Sequence, residues 1–336
     1  MLQFQSYAEF ATLVDRLPVA DEAIRAEARA RQDNLTKPLG SLGKLEDVAV
    51  HWAAWRGTVK PTITKAQGIV FAGNHGICKL GVSPFPQEVT IQMVANYEAG
   101  GAAINQLCRA SGADLTVVKL DLDRPTQDFT QGPAMDEAET IAALNAGAAA
   151  VDESADVVFV GEMGIGNSTV AAALAAAVFG GTGADWVGPG AGSDPAGIAR
   201  KTAVIDKGLA LHSGLGGIET LGALGGREIA AMCGAVLAAR AARIPVILDG
   251  FICTGAVSTL FKVDPRLLDH CIVGHASAEP GHRRILAAMN KVALLEMGMR
   301  LGEGTGAALA LSVVRAALEC HNGMATFAEA GVSEGQ

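Results

Sequence analysis

Aromatic side chains are scarce in this chain. Three Trp, two Tyr and ten Phe make up 4% of its 336 residues, while the apolar share reaches 50% and glycine alone numbers 41. Alanine carries much of that apolar share, so a tightly packed, helix-rich core is expected. Long hydrophobic runs are lacking too. The mean hydropathy is +0.30, yet the longest apolar run, at 170–179, is mostly alanine. It falls short of the roughly 18 residues that a membrane-spanning helix needs. The opening MLQFQSYAEFATLVDR has neither a basic segment nor an apolar core, so no signal peptide is read and a cytoplasmic protein is expected. None of the six cysteines pairs as C-x-x-C, and no histidine stands at metal-ligand spacing from one. That pattern predicts buried free thiols and no metal. Basic residues are outnumbered 26 to 35, a net charge of −9, which gives no reason to expect nucleic acid. No G-x-S-x-G occurs, so the nucleophile elbow of a serine hydrolase is excluded.

What is present is an alternation. Short apolar strands are read at 68–72, 115–120, 157–160, 245–250 and 270–275. Helical stretches are read at 21–31, 45–55, 87–110 with a break at 100–101, 136–150, 168 onward, 225–243, 290–298 and 307–320. Strand and helix in turn predict an α/β fold, a parallel sheet covered by helices on both faces and Rossmann-like. The alternation occupies a large domain at 61–289. The helical segments 1–60 and 290–336 are expected to form a smaller domain together, with a polar, frayed tail after residue 323.

In such sheets ligands bind beyond the carboxyl ends of the strands. Those ends carry Asn74 and His75, Glu162, Asp249 and His275. One stretch, 157–175, places a strand, a glycine turn and a helix start in series. Gly164, Gly166, Asn167, Ser168 and Thr169 would bring free backbone N–H groups and the positive end of a helix dipole to an anion. The order G-x-x-G-x-G is neither a P-loop nor a dinucleotide fingerprint, so a plain strand-to-helix turn stays open. A second turn, GPGAG at 188–192, holds Gly190 and Gly192 and leads into a helix with Lys201. Backbone N–H groups with one lysine suit a single phosphate monoester, although a solvated helix lysine would fit the pattern as well.

Two carboxylates stand out against these turns. Glu303 is flanked by glycine on both sides in LGEGTG, and Glu162 lies inside the first turn. A glutamate in an apolar cleft gains basicity near neutral pH; at a helix start the dipole alone would favour it. Either one is a candidate base. Pro84 and Pro86 disfavour helix at Ser83 and Phe85, so a stiff extended loop presents those side chains. The histidines at 75, 275 and 282 are read as loop residues that satisfy backbone groups. The loop at 36–43 is read as a connection before a helix, with a cover over a site, carrying Lys37 and Lys44, as the sharper alternative.

Several motifs recur in one order: LTKPLGSLGKLE (35–46), AGNHGI (72–77), GVSPFPQEVT (81–90), GGAAIN (100–105), GEMGIGNST (161–169), ARK (199–201), LDGFI (248–252), GHASAEPGH (274–282) and RLGEGTGAAL (300–309). Together they resemble the nicotinate-nucleotide:dimethylbenzimidazole phosphoribosyltransferase family across about residues 20 to 320. The resemblance implies a homodimer that acts on nicotinate mononucleotide and 5,6-dimethylbenzimidazole, without a cofactor. It implies Glu303 as catalytic base and Glu162 as a second active-site carboxylate. Lys201 and the glycine turns would hold the ribose phosphate. Ser83, Phe85, Gln87 and Leu301 would face the benzimidazole. The family's second turn is commonly G-R-G-T-G, so a phosphate-facing Arg and a Thr hydroxyl are missing here, and Asn74 stands where an acid is common. A non-catalytic nucleotide-binding or sensor protein would be expected to lack Glu303 or Lys201, and both are present. An NAD(P)-dependent oxidoreductase needs G-x-G-x-x-G after a strand, and none is found.

Overall fold

The computed structural model describes residues 2–333. Six parallel strands form one sheet in the order β2-β1-β3-β4-β5-β6. They are β1 (Ala66–Ala72), β2 (Asp114–Lys119), β3 (Val157–Met163), β4 (Val246–Leu248), β5 (Cys271–His275) and β6 (Ala293–Leu295). Before β1 come α1 (Glu22–Asn34) and α2 (Lys44–Arg56). Between β1 and β3 run α3 (Val89–Glu98), α4 (Ala103–Ser111) and α5 (Glu137–Ala149). The long connection to β4 holds α6 (Asn167–Phe179), α7 (Gly183–Trp186), α8 (Pro195–Leu211), α9 (Gly217–Leu224) and α10 (Arg227–Ala241). Then follow α11 (Phe251–Val263), α12 (Pro280–Ala288), α13 (Thr305–Gly323) and α14 (Phe327–Ala330).

Side chains alternate across a strand, and here both faces are apolar. Ile69, Phe71, Val158, Val160, Val246 and Leu248 point into one core with α5, α10 and α11. Val70, Val157, Phe159 and Ile247 point into another, with Trp52 of α2, Ile104 of α4 and Leu311 and Val314 of α13. Helices therefore cover both faces, as the alternation of the sequence predicts.

Several elements differ from the sequence reading. The segment 290–298 is not helical: residues 293–295 form the sixth strand and pair with β5. Three residues are too few for periodicity to separate strand from helix. The expected boundary at 289 thus falls between two neighbours of one sheet. The tail after 323 is not all frayed. Thr326 bridges Leu35, the Arg31 guanidinium donates to the carbonyls of His321, Asn322 and Met324, and α14 follows. The last three residues of that tail lie outside the described ones. The break expected at 100–101, by contrast, is present: α3 and α4 are separated by a turn at Gly100, whose φ is +77°.

Candidate active site

A cavity of about 700 Å³ opens beyond the carboxyl ends of β3, β4 and β5. It lies beside the β1–β3 pair, where the strand order reverses, the usual ligand position in an open α/β sheet. Its walls come from the turn after β3, the start of α11, the loop after β5, the loop before α3 and residues 300–303 ahead of α13.

Glu303 stands in a backbone that glycine would prefer. Gly302, Glu303 and Gly304 have φ of +83°, +63° and +85°. Left-handed geometry at a glutamate costs on the order of 1–3 kcal/mol, so its neighbours must hold it. Asp249, at the end of β4, accepts from the N–H of Gly304 at 3.2 Å and of Ala307 at 2.9 Å, capping α13. The Thr305 hydroxyl donates to the Gly302 carbonyl at 2.7 Å. The Glu303 amide donates to Glu162 Oε1 at 3.4 Å. Gly161 is the floor of this arrangement: a Cβ there would overlap the Glu303 carbonyl group. The Glu303 side chain is buried, and its Oε2 has no hydrogen-bond partner.

Burial raises the Glu303 carboxyl above its ordinary range, and the nearby Tyr97 hydroxyl pulls it partly back. That hydroxyl has no well-formed hydrogen bond of its own, so its effect is one of proximity. Burial also lifts Glu162 far above its ordinary range; the Asn167 amide, bonded to its Oε2, opposes this, while Asp249 and Glu228 add to it. Asp249 is raised by burial to about 7 even though backbone N–H groups hold its charged form. His275 lines the cavity with neither ring nitrogen hydrogen-bonded, and burial lowers its pKa. Desolvated carboxylates dominate this end of the cavity, which suits a ligand with a positive ring and an N–H to give.

The other end is cationic. Lys201 on α8 is buried, and its ammonium reaches only long contacts: Ser168 Oγ at 3.5 Å and the carbonyls of Gly188 at 3.3 Å and Pro189 at 3.4 Å. Burial lowers its pKa, and Glu279 opposes this. Gly190 lets the turn close over this corner, since a Cβ there would lie 2.6 Å from Ser168 Oγ and 3.0 Å from Lys201 Nζ. Arg300 donates to the Gly190 carbonyl at 2.9 Å.

Eleven of the fourteen candidate catalytic and binding residues line this one cavity, Ser83, Phe85, Glu162, Gly164, Gly166, Asn167, Ser168, Gly190, Lys201, Leu301 and Glu303, together with the strand-end residues Asp249 and His275. Phe85 and Leu301 are 48% and 58% exposed at its mouth. Three do not line it. The Gln87 amide turns away to the His75 carbonyl at 2.8 Å, Thr169 is fully buried in α6, and Gly192 lies outside the walls. His75 does not serve a backbone group with its ring: Nε2 meets Glu228 Oε1 at 2.5 Å, a dyad packed under Gly164. His282 does fit the expectation, accepting from the Ser277 amide. Lys37 pairs with Glu46 at 2.8 Å and Lys44 donates to the Ala293 carbonyl, and neither lines this cavity. Sequence reasoning assigned no site role to Ser277, Glu279 and Arg300, which line the cavity. Their signals are the position of 277 and 279 just past the end of a strand and the motifs GHASAEPGH and RLGEGTGAAL that contain all three.

A phosphoribosyltransferase family model matches residues 17–332. The chain is 77% identical over 333 residues to the nicotinate-nucleotide–dimethylbenzimidazole phosphoribosyltransferase of Rhodobacter capsulatus, covering 99% of this chain and 100% of the relative. It is 58% identical to the enzyme of that name from Ruegeria pomeroyi, with 98% of each covered. Among solved structures, CobT of Thermus thermophilus superposes with a TM-score of 0.89 at 42% identity, covering 93% of this chain and 100% of that one.

Proposed function

The chain belongs to the nicotinate-nucleotide–dimethylbenzimidazole phosphoribosyltransferase family, and on that premise we propose how its cavity performs the reaction. The enzyme transfers the phosphoribosyl group of nicotinate mononucleotide to dimethylbenzimidazole in cobalamin synthesis. The ring nitrogen of the donor is already cationic, so nicotinate leaves without an acid. The acceptor gains positive charge as it attacks, unless its N–H proton is removed. One carboxylate near that N–H therefore accounts for the chemistry, and the unpartnered oxygen of Glu303 is the observation that carries the assignment.

In this reading Lys201, Ser168 and the open start of α6 grip the phosphate and fix the sugar for in-line attack. Attack opposite the departing nicotinate inverts the β linkage and gives α-ribazole 5′-phosphate. Phe85, Leu301 and Ser83 frame the flat base at the mouth. Glu162 acts beside Glu303 rather than as the proton acceptor, since both of its oxygens already accept from protein groups. A homodimer in the cytoplasm is part of the proposal and rests on family membership. Among the described residues no helix is long and apolar enough to cross a membrane.

The test is direct. The purified protein is incubated with nicotinate mononucleotide and 5,6-dimethylbenzimidazole, and the products are separated by chromatography. Equal amounts of nicotinate and a ribazole phosphate are expected. Release of neither would sink the reading.

A further inference from the structure

Four carboxylates line the cavity: Glu162, Asp249, Glu279 and Glu303. Their hydrogen-bond capacity is not spent equally. Glu162 accepts from Asn167 and the Glu303 amide, one bond to each oxygen. Asp249 accepts from Ala307 and Gly304, again one to each. Of the four, only Glu303 and Glu279 keep a buried oxygen without a partner, in each case Oε2. The Glu303 oxygen has a task in the reaction. The Glu279 oxygen has none.

Glu279 is held as firmly as the others. It is 6% exposed, and its Oε1 accepts from the Gly190 amide at 2.9 Å. Its Oε2 occupies the space that a Cβ at Gly188 would take. A buried acceptor with no donor is costly, on the scale of a full desolvation penalty. Glu279 lines the ligand cavity, so a donor on the ligand can supply the missing partner. Gly190 places it: the same residue abuts Ser168 Oγ and Lys201 Nζ, the cationic corner. A phosphate dianion cannot satisfy a carboxylate, because like charges repel. What a nucleotide carries within one sugar's length of its phosphate is a pair of neutral donors, the vicinal ribose hydroxyls.

We propose that Glu279 reads the ribose diol, accepting from the 2′- or 3′-hydroxyl of the donor nucleotide through Oε2, and that it makes the site selective for ribonucleotides over their deoxy analogues. This inference rests on the reading of the cavity as the phosphoribosyl site. It adds a specificity residue beside the phosphate corner.

The experiment compares nicotinate mononucleotide with its 2′-deoxy and 3′-deoxy analogues in the wild type, Glu279→Ala and Glu279→Gln. A hydrogen bond to a charged acceptor corresponds to about 10- to 100-fold in kcat/KM. The wild type should discriminate against at least one analogue by that factor. Glu279→Ala should lose a similar factor on the ribonucleotide and no more on that analogue, so that discrimination collapses. Glu279→Gln, which keeps a neutral acceptor, should fall between the two. The KM for dimethylbenzimidazole should stay within about twofold, since no contact to the base is removed. Equal losses on all three donors would overturn the proposal and assign Glu279 a purely structural role. A wild type that accepts both deoxy analogues as well as the ribonucleotide would overturn it without any variant. A wild type inactive with every donor would instead remove the reading on which it rests.

Discussion

The backbone amide of Glu303 donates to Oε1 of Glu162 at 3.4 Å, so one carboxylate holds the main chain that carries the other. Residues 141 positions apart in sequence thus form one unit at the end of β3. The two glutamates should not respond alike to loss of charge. Glu303→Gln removes the proposed base and should lower kcat by about 10²- to 10⁴-fold, with folding and binding of both substrates kept. Glu162→Gln keeps one acceptor oxygen and should cost about tenfold, through disturbed placement of Glu303. Steady-state kinetics and calorimetric binding on the two variants decide the matter. Near-normal kcat in Glu303→Gln would end its assignment as base.

Gly161→Ala tests the placement itself. The added methyl would occupy the volume of the Glu303 carbonyl group, which is backbone and cannot rotate away. Overpacking of this kind costs about 1–3 kcal/mol. Because the clash falls on the loop ahead of α13, kcat should drop by about tenfold or more while the melting temperature falls by only a few degrees. Melting curves and kcat measured on the same preparation separate the two effects. Unchanged kcat would show that the Glu303 loop tolerates movement.

Asp249 makes stability depend on pH. Burial raises its carboxyl in the folded state from 3.8 to about 7. A raised folded-state value means the fold favours the neutral acid. The associated stability is fully present below pH 3.8 and is lost as pH rises through about 7, on the order of 4 kcal/mol. Asp249→Asn does not titrate and keeps one acceptor for the helix cap, so it carries a constant offset and a flatter slope. Melting temperatures of both proteins from about pH 4 to about pH 8 should show the wild type declining against the variant. Parallel curves would contradict this account.

The strands were legible because both faces of the sheet are apolar, which leaves runs such as 157–160 that no other element explains. The sixth strand was not, since its three residues carry no period and gain their place only by pairing with β5. The site was legible where chemistry breaks a packing rule: a glutamate between glycines, or glycine turns opening onto a helix. Glu279 breaks no such rule. It lies inside the GHASAEPGH motif, but its neighbours, alanine and proline, look like any loop, and the role proposed for it rests on an amide 89 positions away. Gln87 misled for the opposite reason. It sits among residues that do face the cavity, but at Gln87 the chain already turns into α3, with the Thr90 amide bonded to the Gln87 carbonyl, and its side-chain amide goes to the His75 carbonyl.

Lys201 is the strongest test of the phosphate corner. An ammonium removed from water costs several kcal/mol unless it is paired, and here its contacts are all 3.3 Å or longer. No carboxylate among the described residues bonds it directly; Glu279 acts on it only at a distance. The arrangement is costly in the free protein and is offset when an anion arrives. Lys201→Met keeps the length and apolar stem of the side chain while deleting the charge. The variant should melt at the same temperature as the wild type or a few degrees higher. Its KM for nicotinate mononucleotide should rise by about 10- to 100-fold, because a charge-assisted phosphate contact is lost. Its KM for dimethylbenzimidazole should hold. Inorganic phosphate should compete with nicotinate mononucleotide in the wild type and lose that effect in Lys201→Met. If phosphate inhibits both proteins equally, the phosphate lies elsewhere in the cavity, and Lys201 must be assigned to holding the 188–192 turn instead.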